Sequence, residues 1–407
     1  MIKEYDGGIY WLLDCRFDFL LPSFMQEYGI EEKDILFVQS YHGKIRHRWR
    51  TIYLLPDKRQ SVYLMEPDDA NHIFSKYLNL DRKNLVISFS GAGLPQSENL
   101  DALTAVGLTA ELCNDKWWQY NFFQKFHVMT PDTYKCHNFA EVESVFPELM
   151  EKYQKVIIKK TRLSGGYRME VLSSSFELNQ YRLKLDRGSL EQDFLMSAYI
   201  PHQQSFAGMG VIRQDGEVFF INIVTEQVLF QEVAYEGLIF PAFLDTDNLN
   251  KIRDLTTVIG KELGQVGYYG FYNVDFVLGH KGPYAVEVNA RLGFGSILVA
   301  CIYGNDFWNV LRGSCTDEIV YEGKRLIIGK VKGREGRIYA NMKSFSDISD
   351  WFQEKDGYFE TFFCGDSEPE LFEYGSYIGV FGEFFEMGDS REGVLHRFWE
   401  RCIKWYQ

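Results

Sequence analysis

The chain has 407 residues, 46% of them apolar and 25% charged, which is more than one hydrophobic core holds and excludes a largely disordered chain or a disulfide-stapled miniprotein. With 43 basic against 57 acidic residues the formal charge is −14, so nucleic acid and anionic lipid surfaces are poor partners. Seven scattered cysteines without a Cys-x-x-Cys pair, no apolar run near the roughly 18 residues of a membrane span, and a start, MIKEYDGG, without an apolar signal core predict a soluble, cytoplasmic protein with reduced thiols.

The apolar runs Ile35–Val38 and Leu85–Phe89, with a helical stretch opened by Pro67-Asp68-Asp69, predict a small α/β unit over residues 1–112. The second run enters Ser90-Gly91-Ala92-Gly93, which has no third glycine in register and reads as a tight turn at a strand's carboxyl end, facing a cleft. Asn114 is placed to cap a helix through Phe126, and Asn138 with Glu141 makes an Asn-x-x-Glu capping box before a second helix, which Pro147 is expected to split. Strands dominate from Lys155, among them Val156–Lys160, Arg168–Leu172 and a hairpin turning at Asp215-Gly216. A helix over about 247–265 separates that hairpin from another at 269–291. From about 320 the chain is rich in Gly, Phe and Glu and reads as a mixed α/β extension without a motif. Three segments result, 1–112, 113–200 and 201–407.

Within the last hairpin a three-residue loop near Gly279–Gly282 would set Asp275 directly opposite Glu287, their Cβ atoms about 5 Å apart. Glu287, Asn289 and Arg291 alternate along one strand and so share a face. Carboxylates that close repel unless a cation lies between them, and oxygen ligands of this kind suit Mg2+ or Mn2+. An exposed face that merely solvates its Asp and Glu is the alternative, and these residues alone leave both readings open. Upstream, Val156–Lys160 ends in two lysines and is followed by Ser164-Gly165-Gly166, a turn whose bare N–H groups could meet phosphate oxygens, or a plain flexible hairpin with solvated lysines. A P-loop, a kinase His-Arg-Asp loop, a Gly-x-Ser-x-Gly elbow and a His-Glu-x-x-His zinc motif are all missing from the sequence. Lys44, Arg46, Arg48 and Arg50 alternate as on a strand, either as a solvated face or as a local positive patch for an anionic substrate tail or an acidic carrier protein.

In order and spacing, Asn114-Asp115-Lys116, Val156–Lys159, the glycine turn, Phe194–Ile200 and Glu287-Val288-Asn289-Ala290-Arg291 resemble the ATP-grasp superfamily, especially biotin carboxylase and the D-alanine:D-alanine ligases, over about residues 110–312. The resemblance implies an α/β fold with an N-terminal α/β domain and central and C-terminal α+β domains that clamp ATP. It implies that Lys116 and Lys159 contact ATP phosphates, that Ser164, Gly165 and Gly166 cover them, and that Ser197, Ala198, Tyr199 and Ile200 form the hinge holding adenine. Asp275, Glu287 and Asn289 match the magnesium ligands and Arg291 the arginine at the reacting oxygens. Ser197 stands where the family usually has a glutamate, the glycine turn is poorer than biotin carboxylase's, and Lys160 is an extra lysine. The implied activity is a ligase that activates a carboxylate, an amino acid or small peptide acid, as an acyl phosphate and couples it to an amine with release of ADP and phosphate. A carrier-protein thiol as acceptor, an inactive nucleotide-binding regulator and a homodimeric assembly stay open.

Overall fold

The structure is a computed structural model and describes residues 5–13, 21–41, 51–55, 67–162, 169–185, 187–202, 205–227, 237–240, 242, 244–293, 295–296, 299, 306–311, 326–329, 359–362 and 379–382. Its first sheet is parallel, with strands β1 (Gly8–Trp11), β2 (Ile35–Tyr41), β3 (Thr51–Leu55), β4 (Asn84–Ile87) and β5 (Leu100–Ala102) in the order β3-β2-β1-β4-β5. Both faces are covered, as parallel sheets require. Ile9, Trp11, Phe37 and Ile87 meet Phe24 and Tyr28 of helix α1 (Leu21–Tyr28), whereas Tyr10, Val38 and Val86 meet Phe74 of α2 (Pro67–Phe74).

The second sheet is antiparallel, ordered β6-β9-β7-β8, from β6 (Thr133–Cys136), β7 (Val156–Lys160), β8 (Glu170–Leu172) and β9 (Phe194–Ala198). Two helices precede it, α3 (Leu108–Cys113) and α4 (Lys116–Lys125). The capping expectation at Asn114 is corrected: Asn114 ends α3, and Asp115 caps α4 by accepting from Trp117 N–H at 2.9 Å and Trp118 N–H at 3.0 Å. Asn138 does cap α5 (Phe139–Tyr153), accepting from Glu141 N–H at 3.0 Å. Pro147 lies inside that helix and does not split it. An interior proline costs about 3 kcal/mol, while burying a large apolar side chain returns about 1.5–3 kcal/mol, and Phe139, Val142, Phe146 and Leu149 are all buried against Val156, Ile158 and Phe194. The sheet therefore holds the helix through the break. Helices α6 (Ser175–Leu183) and α7 (Arg187–Leu190) complete this unit.

The third sheet is antiparallel, with β10 (Ser205–Ile212), β11 (Val218–Gln227), β12 (Gly237–Phe240), β13 (Gly270–Gly279), β14 (Gly282–Asn289) and β15 (Leu326–Gly329) in the order β14-β13-β10-β11-β12-β15. Helix α8 (Thr246–Gln265) covers one face, where Phe206, Ile223, Tyr272 and Phe276 share a core with Phe122 and Phe123 of α4. The other face carries Ala207, Met209 and Phe271 into the first sheet's core, together with Trp308 of α9 (Phe307–Leu311). Strands β16 (Phe359–Phe362) and β17 (Gly379–Gly382) pair antiparallel, and the remainder of the extension beyond 320 falls largely outside the described residues.

Helix α8 approaches its sheet closely because glycines leave room. A Cβ on Gly208 would lie 2.0 Å from Thr256 Oγ1, on a residue that is fully buried and already donates to Ile252 O at 2.7 Å. Overpacking of that kind typically costs about 1–3 kcal/mol. Gly208→Ala should accordingly lower the melting temperature by several degrees in a thermal scan, and Thr256→Ala in the same chain should recover most of the loss, because the two changes share one space.

Candidate functional site

The site begins in the β13–β14 hairpin. Asp275 does lie opposite Glu287, but not by way of a three-residue loop: the turn holds two residues, His280 and Lys281, since Gly279 pairs with Gly282. Carried down the strands unchanged, that register would set Asp275 opposite Val286. A bulge after Asp275 shifts the register by one, pairing Phe276 with Ala285 but Asp275 with Glu287, and Asn273 with Asn289. All four polar side chains thus rise from the same face.

Two further segments converge on that face. Lys116 N–H, at the start of α4, donates to Thr161 O at 3.0 Å, which ties the helix to the end of β7. One turn along α4, Gln119 binds the backbone of edge strand β14 at both ends of its amide, accepting from Val288 N–H at 3.1 Å and donating to Val288 O at 2.7 Å. Lys116 Nζ then reaches Glu287 Oε1 at 2.8 Å, with only 8% of the lysine side chain exposed. Alternation along β7 turns Lys159 to the same place and Lys160 away from it. Lys160 is instead buried, donating to Ser189 O at 2.7 Å with its ammonium 3.4 Å from the Phe194 ring centre.

Charge and burial set the protonation of the cluster. Burial pushes Asp275 up to about 7, reinforced by the Glu287 carboxylate and opposed by the hydrogen bond from Asn289. Burial also raises Glu287, yet the ammoniums of Lys116 and Lys159 outweigh it and hold the carboxyl below its ordinary value. Lys159 is brought down to about 8 by desolvation, against the attraction of Glu287. The amides are oriented by Arg291, a donor only. Its NH2 donates to Asn289 Oδ1 at 2.7 Å, which leaves Asn289 Nδ2 to donate to Asp275 Oδ2 at 2.8 Å, and Asn273 Nδ2 donates to the other Asp275 oxygen.

Two opposed carboxylates and a neighbouring amide oxygen are a fit for a hard divalent cation that keeps water and phosphate in its remaining positions. No cluster of three or more His, Cys, Asp or Glu occurs among the described residues, as such a cation allows. Lys116, Lys159, Asp275, Glu287, Asn289 and Arg291 are therefore placed together. The expected hinge lies at the end of β9, an inner strand of the second sheet: Ser197 is buried and shares a 2.9 Å hydrogen bond with Thr133, Ala198 N–H donates to Asp132 O, Tyr199 N–H donates to Lys155 O, and His202 Nδ1 lies 2.6 Å from Ile200 O. Ser164, Gly165, Gly166 and the basic positions 44–50 lie outside the described residues. Gln119, Asn273 and Asn114 were not singled out from the sequence as site residues. For Gln119 a signal existed, its spacing of three from Lys116 on one helix face.

The two lysines of β7 should separate cleanly. Lys159→Ala should weaken binding of ADP with magnesium at least tenfold in a calorimetric titration while leaving the melting temperature nearly unchanged. Lys160→Met should do the reverse, losing about 1–3 kcal/mol of stability with its buried charge-assisted bond and keeping nucleotide affinity.

Comparison with known proteins bears on the fold that carries these residues. The family model described as ATP-grasp domain matches residues 113–295. Among solved structures, the chain is similar to N5-carboxyaminoimidazole synthetase from Staphylococcus aureus at 10% identity and TM-score 0.65, covering 99% of this chain and 98% of that one. It is similar to the N5-carboxyaminoimidazole synthase of Aspergillus clavatus in complex with ADP and 5-aminoimidazole ribonucleotide, at 11% identity, TM-score 0.66 and coverage of 99% and 100%. The biotin carboxylase domain dimer of Hydrogenobacter thermophilus 2-oxoglutarate carboxylase, solved with MgADP, ADP and bicarbonate, is similar at 14% identity and TM-score 0.57, covering 80% of this chain and 74% of that one. The chain thus has the ATP-grasp fold of these similar structures, and its residues 113–295 match the ATP-grasp domain model.

Proposed function

We propose that the chain is an ATP-dependent, ADP-forming ligase that activates a small carboxylate as an acyl phosphate and transfers the acyl group to an amine. The observation that carries this reading is the opposition of Asp275 and Glu287 on one rung, with Lys116, Lys159 and Arg291 converging on them. Asp275, Glu287 and Asn289 would hold magnesium, which when bound draws charge from phosphate oxygens. Lys116 and Lys159 supply positive charge to the terminal phosphates, and Arg291 presents a planar fork to the oxygens exchanged between phosphorus and carbon. A carboxylate oxygen attacks the γ-phosphorus and ADP departs. The amine then attacks the acyl carbon, the bond from carbon to the bridging oxygen breaks, and that oxygen leaves in inorganic phosphate. Neither step needs a strong general base from the protein, and the six converging residues include no histidine. An amine acceptor and a small carboxyl donor are in keeping with the 5-aminoimidazole ribonucleotide and bicarbonate held by the similar structures. These relatives give an amino acid or peptide acid no support, and a carrier thiol finds none among the described residues.

The protonation states give a pH profile. The ligand-free fold raises Asp275 above the roughly 3.9 of an unfolded chain, so the stability of its neutral form is complete at acid pH and is lost as pH rises through about 7. Metal–nucleotide binding requires the anion, so the affinity for MgADP should climb up to about pH 7, and it should fall again above about 8 as Lys159 loses its proton. Titrations across this range should show both limbs, with Asp275→Asn abolishing the acid limb and Lys159→Arg the alkaline one.

The reaction itself is tested by product and label. Small acids, bicarbonate included, are screened with amines for phosphate release, and the productive acid is then labelled with 18O in its carboxylate. ADP and inorganic phosphate carrying one labelled oxygen are expected. AMP with pyrophosphate would refute the mechanism, and ADP with unlabelled phosphate and a phosphorylated product would make the protein a small-molecule kinase.

A further inference from the structure

Asn114 occupies the two-residue junction between α3 and α4, one position before the aspartate that caps α4. Its side chain turns into the site. Arg291 NH1 donates to Asn114 Oδ1 at 3.0 Å, and because a guanidinium can only donate, this contact settles which end of the amide faces it. The opposite end, Nδ2, then donates to Ser90 Oγ at 3.2 Å.

Ser90 belongs to the turn that follows β4 and is fully buried. That turn is clamped from several sides. Asn71 Nδ2 donates to the carbonyls of Ser90 at 2.6 Å and Ala92 at 2.9 Å, Ser88 Oγ donates to Ser90 O at 2.7 Å, and Ala92 N–H donates back to Ser90 Oγ at 3.1 Å. A Cβ on Gly91 would meet Ala105 O at 1.9 Å, so the turn is seated against its neighbour with no room to slide. The first sheet thus offers a rigid anchor at the edge of the candidate site.

We propose that Asn114 is a positioning residue that fixes the Arg291 guanidinium between this anchor and the carboxylate ladder. Two of the five guanidinium N–H donors are spent on amides from separate segments, Asn114 before α4 and Asn289 at the end of β14. Contacts at two different nitrogens fix the plane of the group as well as its position, which one contact would leave free to rotate. Arg291 also lies just past the end of its strand, where the ladder no longer restrains it, although Leu292 N–H donates to Phe89 O at 2.8 Å. Asn114 therefore acts through Arg291, to which its amide oxygen is bound while its amide nitrogen is bound to Ser90. The whole series runs Ser90, Asn114, Arg291, Asn289, Asp275, with each polarity dictated by the arginine at its centre. The consequence for activity rests on the ligase reading above.

Three variants test the assignment. Asn114→Leu removes the bonds to Arg291 and Ser90 at similar volume, Asn114→Asp keeps an acceptor for Arg291, and Arg291→Lys removes the fork. With the productive acid from the carboxylate screen, Asn114→Leu should lower kcat for ADP release by about 10- to 100-fold, the usual effect of a misplaced reacting group. The Kd for MgADP should stay within about twofold, Asn114→Asp should recover most of the rate, and Asn114→Leu should cost little more once Arg291 is lysine. Crystal structures of the wild type and Asn114→Leu supply a readout free of turnover, in which the Arg291–Asn289 contact should be lost in the variant. Equal rate losses in the arginine and lysine backgrounds, a parallel loss of MgADP affinity, or an Arg291–Asn289 contact unchanged in Asn114→Leu would each overturn the proposal. A wild type that releases no ADP with any acid would instead sink the ligase reading, and the crystal structures would still decide the role of Asn114.

Discussion

Asp275 and Glu287 face one another, partly buried, across a single rung of the β13–β14 ladder, and the rest of the site is arranged around their repulsion. A pair of like charges in that position is tolerable only where cations are near, and here they arrive from segments remote in sequence. Lys116 comes from α4 and Lys159 from β7, each of them favouring the ionised form of Glu287. The α4 segment is held in place by contacts to backbone, the Lys116–Thr161 bond and the Gln119 clamp on Val288. The Lys116–Glu287 ion pair, at 2.8 Å and largely buried, is where α4 and the carboxylate hairpin meet electrostatically.

Close backbone approach gives this arrangement its rigidity. Gly270, at φ +109, lets β13 begin where a Cβ would lie 2.7 Å from Leu103 O, and Ala105 N–H donates to Tyr269 O at 2.8 Å beside it. Tyr268 closes the same seam from below, accepting from Thr104 and donating to Phe271 O at 2.6 Å. The first and third sheets are thereby joined through polar bonds at the rim and through the Trp11, Phe24 and Trp308 cluster at the core. The second sheet attaches more narrowly, by the end of β7 and by the Ala285 N–H bond to Met129 O. Lys159 therefore sits on one sheet and the carboxylates on another, which is the geometry a clamp requires.

Local pattern was enough for much of this. The alternation of Val156–Lys160 assigned Lys159 and Lys160 to opposite faces, and the same alternation grouped Glu287 with Asn289, because side-chain direction in a strand depends only on residue parity. The cap at Asn138 and the turn at Asp215-Gly216 were legible for the same reason, being settled by neighbours within four residues. The order of short motifs pointed to the ATP-grasp fold, and the family match over residues 113–295 agrees with it.

Other features depended on contacts that no local pattern encodes. Pro147 stays helical because a sheet buries the helix on both sides of it, and Asn114 leaves the cap to Asp115 because its own amide is held by Ser90 and Arg291, 24 and 177 residues away. The rung that opposes Asp275 to Glu287 is set by a two-residue turn plus a bulge, and this bulge, at Asp275 and Phe276 opposite Val286, has no glycine to mark it. Residue types, face parity and motif order were thus determined by the sequence itself, since each is a property of a few adjacent residues. Register, the partners of buried amides and the convergence of three segments on one rung were decided only by tertiary structure, because each is a balance of packing and charge between parts of the chain that the sequence keeps far apart.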